Sequence, residues 1–246
     1  MILHNWCLEV WGDYACFTRP EMKVERVSYD IITPSAARSI FEAILWKPAI
    51  CWNITKIEVL NPIKWISVRR NEVGKVIPAP TAKQMSGVLG APMGLFIEDE
   101  RQQRAGLFLK DVKYRIHGYF DFIPAEERKQ NRSISPEVWA DEEERSGVDK
   151  MDENEAKYAA MFDRRARKGQ CFHRPYLGCR EFACSFKLVD PFVDIITPIN
   201  ETRDLGYMLY DMDFSHDENC PTPLFFKAKI ENGTVNTDRR EIEVRG

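Results

Sequence analysis

An α+β fold on an antiparallel sheet is predicted by three observations. Candidate strands and helices run in the order strand, helix, strand, strand, helix, strand up to about residue 190. Two of those segments carry helical spacing together with capping residues. After Pro191 the pattern turns to strands alone. That order is the split βαβ, ferredoxin-like arrangement, RRM-like in placing two helices on one face of the sheet. The tail reads as a small C-terminal β-sheet domain. The chain of 246 residues therefore divides into 1–190, with an exposed insertion at about 124–151, and 191–246.

Residues 3–11 read as the first strand, apolar and aromatic and ended by Gly12-Asp13. Thr33-Pro34-Ser35 has the form of a helix start, with threonine as N-cap and proline in the first turn. Ala37, Ile40, Phe41 and Ile44 follow at helical spacing, and Pro48 stops the element. Residues 49–65 are rich in Ile, Val and Trp and predict a second strand ending near Asn61-Pro62. Gly and Pro signals across 71–103 predict a long excursion. Residues 104–123 predict a long, bent strand. A second amphipathic helix is expected over 153–168, stopped by Gly169. Residues 181–189 predict the next strand. In the tail, 205–214 predicts a strand, and 223–230 with 234 onward a hairpin across Asn232-Gly233.

Hydrophobic residues make up 44% of the chain, enough for a core, and no internal repeat is present. The seven cysteines lack CxxC spacing and read as reduced thiols rather than a disulfide frame or zinc site. No secretory leader and no apolar run of bilayer length is seen, so the expectation is a cytoplasmic protein with no membrane partner. The formal net charge of −3 excludes bulk coating of nucleic acid, but the charge is uneven. Acid concentrates around Asp141-Glu142-Glu143-Glu144, and base at Arg69-Arg70 and Arg164-Arg165-Ala166-Arg167-Lys168. A local basic surface is enough to contact phosphate, because fields decay within roughly 10 Å in salt.

The second helix carries most of the chemistry. Tyr158, Met161, Phe162 and Ala166 share a core face. Lys157, Arg164 and Lys168 fall on one stripe, pitched to follow successive phosphates. The bland alternative is a solvated face with Glu153 paired to Lys157. Residues 169–182 then interleave His173, Arg174 and Arg180 with aromatic rings, the mixture a single-stranded RNA site needs; a structured loop with packed rings stays equally open. Cutting RNA without a metal needs a base for the 2′-hydroxyl, a cation for phosphorane charge and an acid for the leaving oxygen. Lys157 suits the cation, Tyr158 or His173 the proton carriers, and Arg174 or Arg180 phosphate clamps. His4, His117 and His216 read as structural or surface residues. Asp211, Asp213 and Asp217 lack a metal-loop pattern, so neither a metal nor another cofactor is expected. No P-loop, nucleophile elbow or dinucleotide fingerprint is present.

Several stretches carry a family likeness. They are 10–23, opening Val10-Trp11-Gly12-Asp13-Tyr14, then Pro34-Ser35-Ala36-Ala37-Arg38, Trp46-Lys47-Pro48, Arg69-Arg70-Asn71-Glu72 and Gln102-Gln103-Arg104. Residues 168–182 and Leu205-Gly206-Tyr207-Met208-Leu209-Tyr210-Asp211 complete the set. Together, over about residues 8–214, they resemble the subtype I-C (Dvulg) form of the fifth CRISPR-associated protein family. The resemblance implies a ferredoxin-like domain of the repeat-associated RNA-binding class plus a small C-terminal β domain. It implies metal-independent cutting of precursor CRISPR RNA within each repeat, by 2′-hydroxyl attack. It also implies retention on the 5′ handle of the guide RNA beside the backbone and large subunits of the interference complex, with target DNA as an open further partner. The family's tyrosine, lysine and histidine positions fall on Leu45, Lys157 and Tyr158, so only the lysine is kept. Tyr158 would serve as acid or base only with its pKa lowered, for which Lys157 is the neighbour. Arg164, Lys168, His173, Arg174 and Arg180 are the expected RNA-backbone contacts, with Lys23 and Arg38 as secondary ones. The alternative is a non-catalytic subunit that binds the handle. A small-molecule enzyme on the same sheet would need a closed pocket of convergent polar groups.

Overall fold

The computed structural model describes residues 5–22, 24–77, 79–86, 94–128, 153–190, 193–194, 196–214 and 220–246. Its strands are β1 (Trp6–Ala15), β2 (Ile50–Val59), β3 (Lys64–Val73), β4 (Arg101–Phe122), β5 (Ser185–Val189), β6 (Arg203–Asp213), β7 (Thr222–Ile230), β8 (Thr234–Asn236) and β9 (Val244–Arg245). Two longer helices, α1 (Pro34–Ile44) and α2 (Glu155–Arg167), accompany single turns at Ala82–Met85 and Ala125–Arg128. The main sheet runs β5-β1-β4-β2-β8, with β3 pairing to β4, and β6-β7-β9 form a second sheet. Every strand pairing is antiparallel. The fold is thus mixed α/β with antiparallel sheets and two principal helices.

The helices form where their caps and spacing dictate. Thr33 accepts the Ala36 N–H at 3.3 Å, Pro34 opens α1, and Ala37, Ile40, Phe41 and Ile44 are its buried face. Asn154 caps α2 by accepting the Lys157 N–H at 2.8 Å. Glu155 in the first turn and Arg164, Arg165 and Arg167 in the last complement the helix dipole. Gly169, at φ +63°, takes the left-handed step that ends α2. Both helices lie on the sheet through one aromatic cluster. Phe41 stacks on Phe162 (centroids 5.6 Å apart), Phe162 meets Trp52 at 4.5 Å, and Trp6 stacks on Phe120 at 5.3 Å.

The opposite face of the sheet is polar. Glu9, almost fully buried, lies against Lys113 (2.9 Å), Arg115 (3.5 Å) and Lys187 (3.7 Å). Arg115 in turn donates to the carbonyls of Asp194 and Ile196, so a passing segment covers that face.

The second strand over 49–65 stops where expected, β2 ending at Val59 just before Asn61-Pro62, and Lys64 and Trp65 already belong to β3. Two expectations change. The excursion over 71–103 is narrower, because β3 and the first half of β4 pair from Lys64↔Lys110 to Val73↔Arg101 as a two-stranded ribbon. The predicted bend in β4 falls at Asp111, whose φ of +53° is steadied by Asn61 donating to its carbonyl at 2.8 Å. In the tail, the Asn232-Gly233 turn forms with both residues at positive φ, but β8 then joins β2 in the main sheet rather than lengthening a hairpin with β7. The greater part of the 124–151 insertion lies outside the described residues.

Candidate nucleic-acid interface

On α2 Tyr158, Phe162 and Ala166 are buried as the spacing required, Met161 is only half-buried, and Ala159 joins the buried face. On the outer stripe Lys157 is half-exposed, and Arg164 and Lys168 are exposed. Eleven residues at 1.5 Å each spread these three cations over about 16 Å. None of the three forms an ion pair with a described residue. Glu153 forms its close contacts elsewhere than with Lys157: it accepts from the Tyr158 hydroxyl at 2.7 Å and pairs with Arg128 at 2.6 Å. Burial works against ionisation of that carboxyl, yet the Arg128 and Tyr158 hydrogen bonds outweigh it and hold it below the usual range. The other basic residues at this helix end have internal duties. Arg165 donates to the Ile44 carbonyl at 2.9 Å, and Arg167 pairs with Asp163 at 2.7 Å.

Residues 169–182 form a loop pinned at several points. The N–H groups of Phe172 and His173 both point to the Ala43 carbonyl at the end of α1, at 2.8 and 3.4 Å. Leu177 is fully buried, accepts from Cys16 at 3.1 Å and donates to Phe182 at 2.8 Å. Gly178 sits at φ +84°, where a Cβ would stand 2.0 Å from the Cys16 carbonyl oxygen, so only glycine fits. Glu181 anchors the far arm through Arg70 (2.7 Å) and Arg26 (3.1 Å). What this frame presents to solvent is Phe172, His173, Arg174 and Arg180. Tyr176 and Phe182 are half-buried, the latter against Phe108 and Tyr14.

A family model described as a CRISPR-associated protein (Cas5), of the Cas5d kind, matches residues 7–238. This chain belongs to the Cas5d family. It is similar to the CRISPR pre-crRNA endoribonuclease Cas5d of Mannheimia succiniciproducens, 48% identical over 234 residues that cover 93% of this chain and 92% of the relative. The enzyme of the same name from Thermus thermophilus is 36% identical over 242 residues, covering 92% and 88%. Among solved structures, one described as a CRISPR-associated protein aligns at a TM-score of 0.63 with 22% identity, over 99% of this chain and 97% of that one. The functionally uncharacterized SMU1763c from Streptococcus mutans aligns at 0.62 with 21% identity, over 99% and 98%. Those two likenesses speak for the fold.

Within the Cas5d frame the remaining candidates sort clearly. Leu45, expected from the resemblance at the tyrosine position, is fully buried, and its carbonyl accepts from Trp52 Nε1 at 2.9 Å. Tyr158, expected at the histidine position, is 5% exposed and packs its ring on Phe122. Arg38 forms a bidentate pair with Asp211, at 2.8 and 3.0 Å, and adds Glu42 at 3.5 Å, joining α1 to β6. Lys23 lies outside the described residues, as do His4 and His216. His117 is half-buried between Glu58 (3.2 Å) and Cys7 (3.7 Å). Among the described residues no group of three or more His, Cys, Asp or Glu side chains could hold a metal ion, and no helix is long and apolar enough to cross a membrane.

A cluster that sequence reasoning missed lies beside the loop. Cys179 Sγ is 3.6 Å from an Arg26 nitrogen and 3.6 Å from the Cys16 carbonyl, with Thr18 Oγ1 within 4 Å of both thiols. The hydrogen bond with Cys179 pushes the Cys16 thiol up, with burial acting the same way. No spacing in the chain announces this contact, because 163 residues separate its two cysteines.

Proposed function

We propose that this chain is an endoribonuclease of CRISPR antiviral defence, cutting precursor CRISPR RNA within the repeat and retaining the 5′ handle. The name of the two curated relatives supports the activity. The observation in this molecule that carries the reading is the cation stripe of α2, without an ion pair among the described residues, running on into a pinned, cationic loop. Lys157, Arg164 and Lys168 would follow the RNA backbone along the helix, and His173, Arg174 and Arg180 would extend the track. Lys23 and Arg38 remain secondary contacts, Arg38 only if RNA exchanges for Asp211.

The reaction needs no metal in this reading. The 2′-oxygen attacks the adjacent phosphorus, the bond from phosphorus to the 5′-oxygen breaks, and a 2′,3′-cyclic phosphate and a 5′-hydroxyl result. The 2′ proton leaves to a base and the 5′-oxygen gains one from an acid. Lys157 would stabilise the extra negative charge of the phosphorane. Tyr158 is the second catalytic candidate, and its hydroxyl must exchange Glu153 for a substrate oxygen to act. The strand order β5-β1-β4-β2 supports a ferredoxin-like domain over 1–190, with 191–246 as an accessory β unit. Partners on this reading are repeat RNA and the backbone and large subunits of the subtype I-C interference complex, in the cytoplasm, with target DNA left as an open further partner.

A second reading, a handle-binding subunit that does not cut, is favoured by the burial of Leu45, the residue that the resemblance sets at the family's tyrosine position. The test is incubation with cognate repeat RNA in EDTA, beside Lys157→Ala and Tyr158→Phe. Cleavage in EDTA that falls at least 100-fold in Lys157→Ala, with binding largely kept, is the expected result. Tight binding without any cleavage by the native chain establishes the second reading instead.

A further inference from the structure

We infer that Phe172, with the His173 ring roughly perpendicular beside it, is a stacking platform for one unpaired nucleobase of the bound RNA. The inference rests on the RNA-processing reading and adds to it a base-binding subsite.

Three observations converge on this residue. Phe172 is 82% exposed, although most large apolar side chains of the described chain are covered. Its backbone is nevertheless fixed: the Phe172 and His173 N–H groups share the Ala43 carbonyl, and Arg165 holds the neighbouring Ile44 carbonyl from α2. The ring is therefore displayed from a rigid support, which limits the ordering entropy that binding must overcome. Its surroundings also decide between kinds of occupant. A ring offered to a protein neighbour usually sits within an apolar patch. Around Phe172 the chain instead exposes Lys168, Gln170, His173 and Arg174. Cations beside one free aromatic face match single-stranded nucleic acid, where phosphates meet the charges and a base meets the ring. The rings are 6.1 Å apart at 84°, so His173 stands across Phe172 rather than stacked on it, and the 82% exposure of Phe172 leaves ring surface free for a base. The other aromatics of the loop are unsuited: Tyr176 and Phe182 are half-buried in the frame.

The test uses full-length protein and repeat RNA carrying 2-aminopurine at one unpaired position at a time. Native protein is compared with Phe172→Tyr, Phe172→Leu and Phe172→Ala, each checked by circular dichroism. Native protein and Phe172→Tyr are expected to quench one position strongly. In the leucine and alanine variants that quenching disappears and affinity falls roughly five- to a hundredfold. Full affinity and quenching in Phe172→Leu would overturn the platform, reducing the residue to an apolar contact or a surface for a protein neighbour. Should native protein bind no repeat RNA at all, the RNA reading itself fails. If it binds and all four proteins behave alike, only the platform fails.

Discussion

Arg38 and Arg174 look alike in the sequence, each standing in a segment with the family likeness, yet the structure surrounds them differently. Arg38 is held by both oxygens of Asp211 and by Glu42. Arg174 stands exposed on the pinned loop, with no ion pair to a described residue. The same division runs through the basic residues. Arg26 and Arg70 share Glu181, Arg115 faces Glu9, and Arg128 holds Glu153. Arg164, Lys168 and Arg180 share the situation of Arg174. The internal set joins elements distant in the chain; the outer set lies along one helix and the loop that follows it. Because carboxylates neutralise the internal set, a chain of net charge −3 still presents a positive track.

The division depends most on the loop frame, so the largest effect is expected at Gly178. A Cβ there meets the Cys16 carbonyl at 2.0 Å while φ stays at +84°. Gly178→Ala should lower stability by on the order of 3 kcal/mol, read by urea unfolding, and weaken RNA binding as the outer arginines lose their support. Gly169→Ala is the control. It also has positive φ, but nothing lies within 4 Å of its Cβ, and about 1 kcal/mol is expected. Equal losses at the two glycines would show that backbone conformation matters and the close approach to Cys16 does not.

Exchanging the two arginines sharpens the comparison at smaller scale. Arg174→Ala should leave stability within about 0.5 kcal/mol while weakening RNA binding, with the slope of log affinity against log salt reduced by about 0.7. Arg38→Ala should leave that slope unchanged unless RNA displaces Asp211, and cost about 1–2 kcal/mol of stability, a partly exposed pair being worth less than a buried one. A changed salt slope in Arg38→Ala would move that residue into the outer set.

Much of the fold was legible because it rests on local signals. Thr33-Pro34 marks the start of α1 and Gly169 the end of α2, and Phe41, Phe162 and Ala166 fall on their buried faces as the period requires. Asn61-Pro62 marked the end of β2, but β3 went unread as a strand of its own because its residues are exposed or half-buried and bury no core face. β8 was paired wrongly since a turn sequence names its own residues and not the strand that will receive the chain next. The site divided along the same line. The stripe Lys157, Arg164, Lys168 follows from helical geometry, whereas the partner of Arg38 lies 173 residues away. Likewise, which of the loop's rings faces outward depends on contacts to Ala43 and Phe108 that no spacing encodes.

The smallest effect concerns internal charges on the polar sheet face and is read by pH. Burial disfavours a charged Glu58, but hydrogen bonds from His117 at 3.2 Å and Lys56 at 2.6 Å outweigh it and hold its carboxyl at about 2. In the unfolded chain the same group titrates near 4.5. A carboxyl with its pKa lowered by folding stabilises the native state above the unfolded value and loses that contribution as pH falls toward the folded one. The window is therefore about 4.5 down to about 2. Within it native stability should fall more steeply than that of Glu58→Gln, the difference between them narrowing by about 1 kcal/mol between pH 5 and pH 3.5. RNA affinity at neutral pH should be the same in both, since this face is closed by the segment that receives Arg115. Loss of RNA binding in a stable Glu58→Gln protein would mean that nucleic acid reaches the polar face as well, and the inner and outer charges would no longer be separate sets.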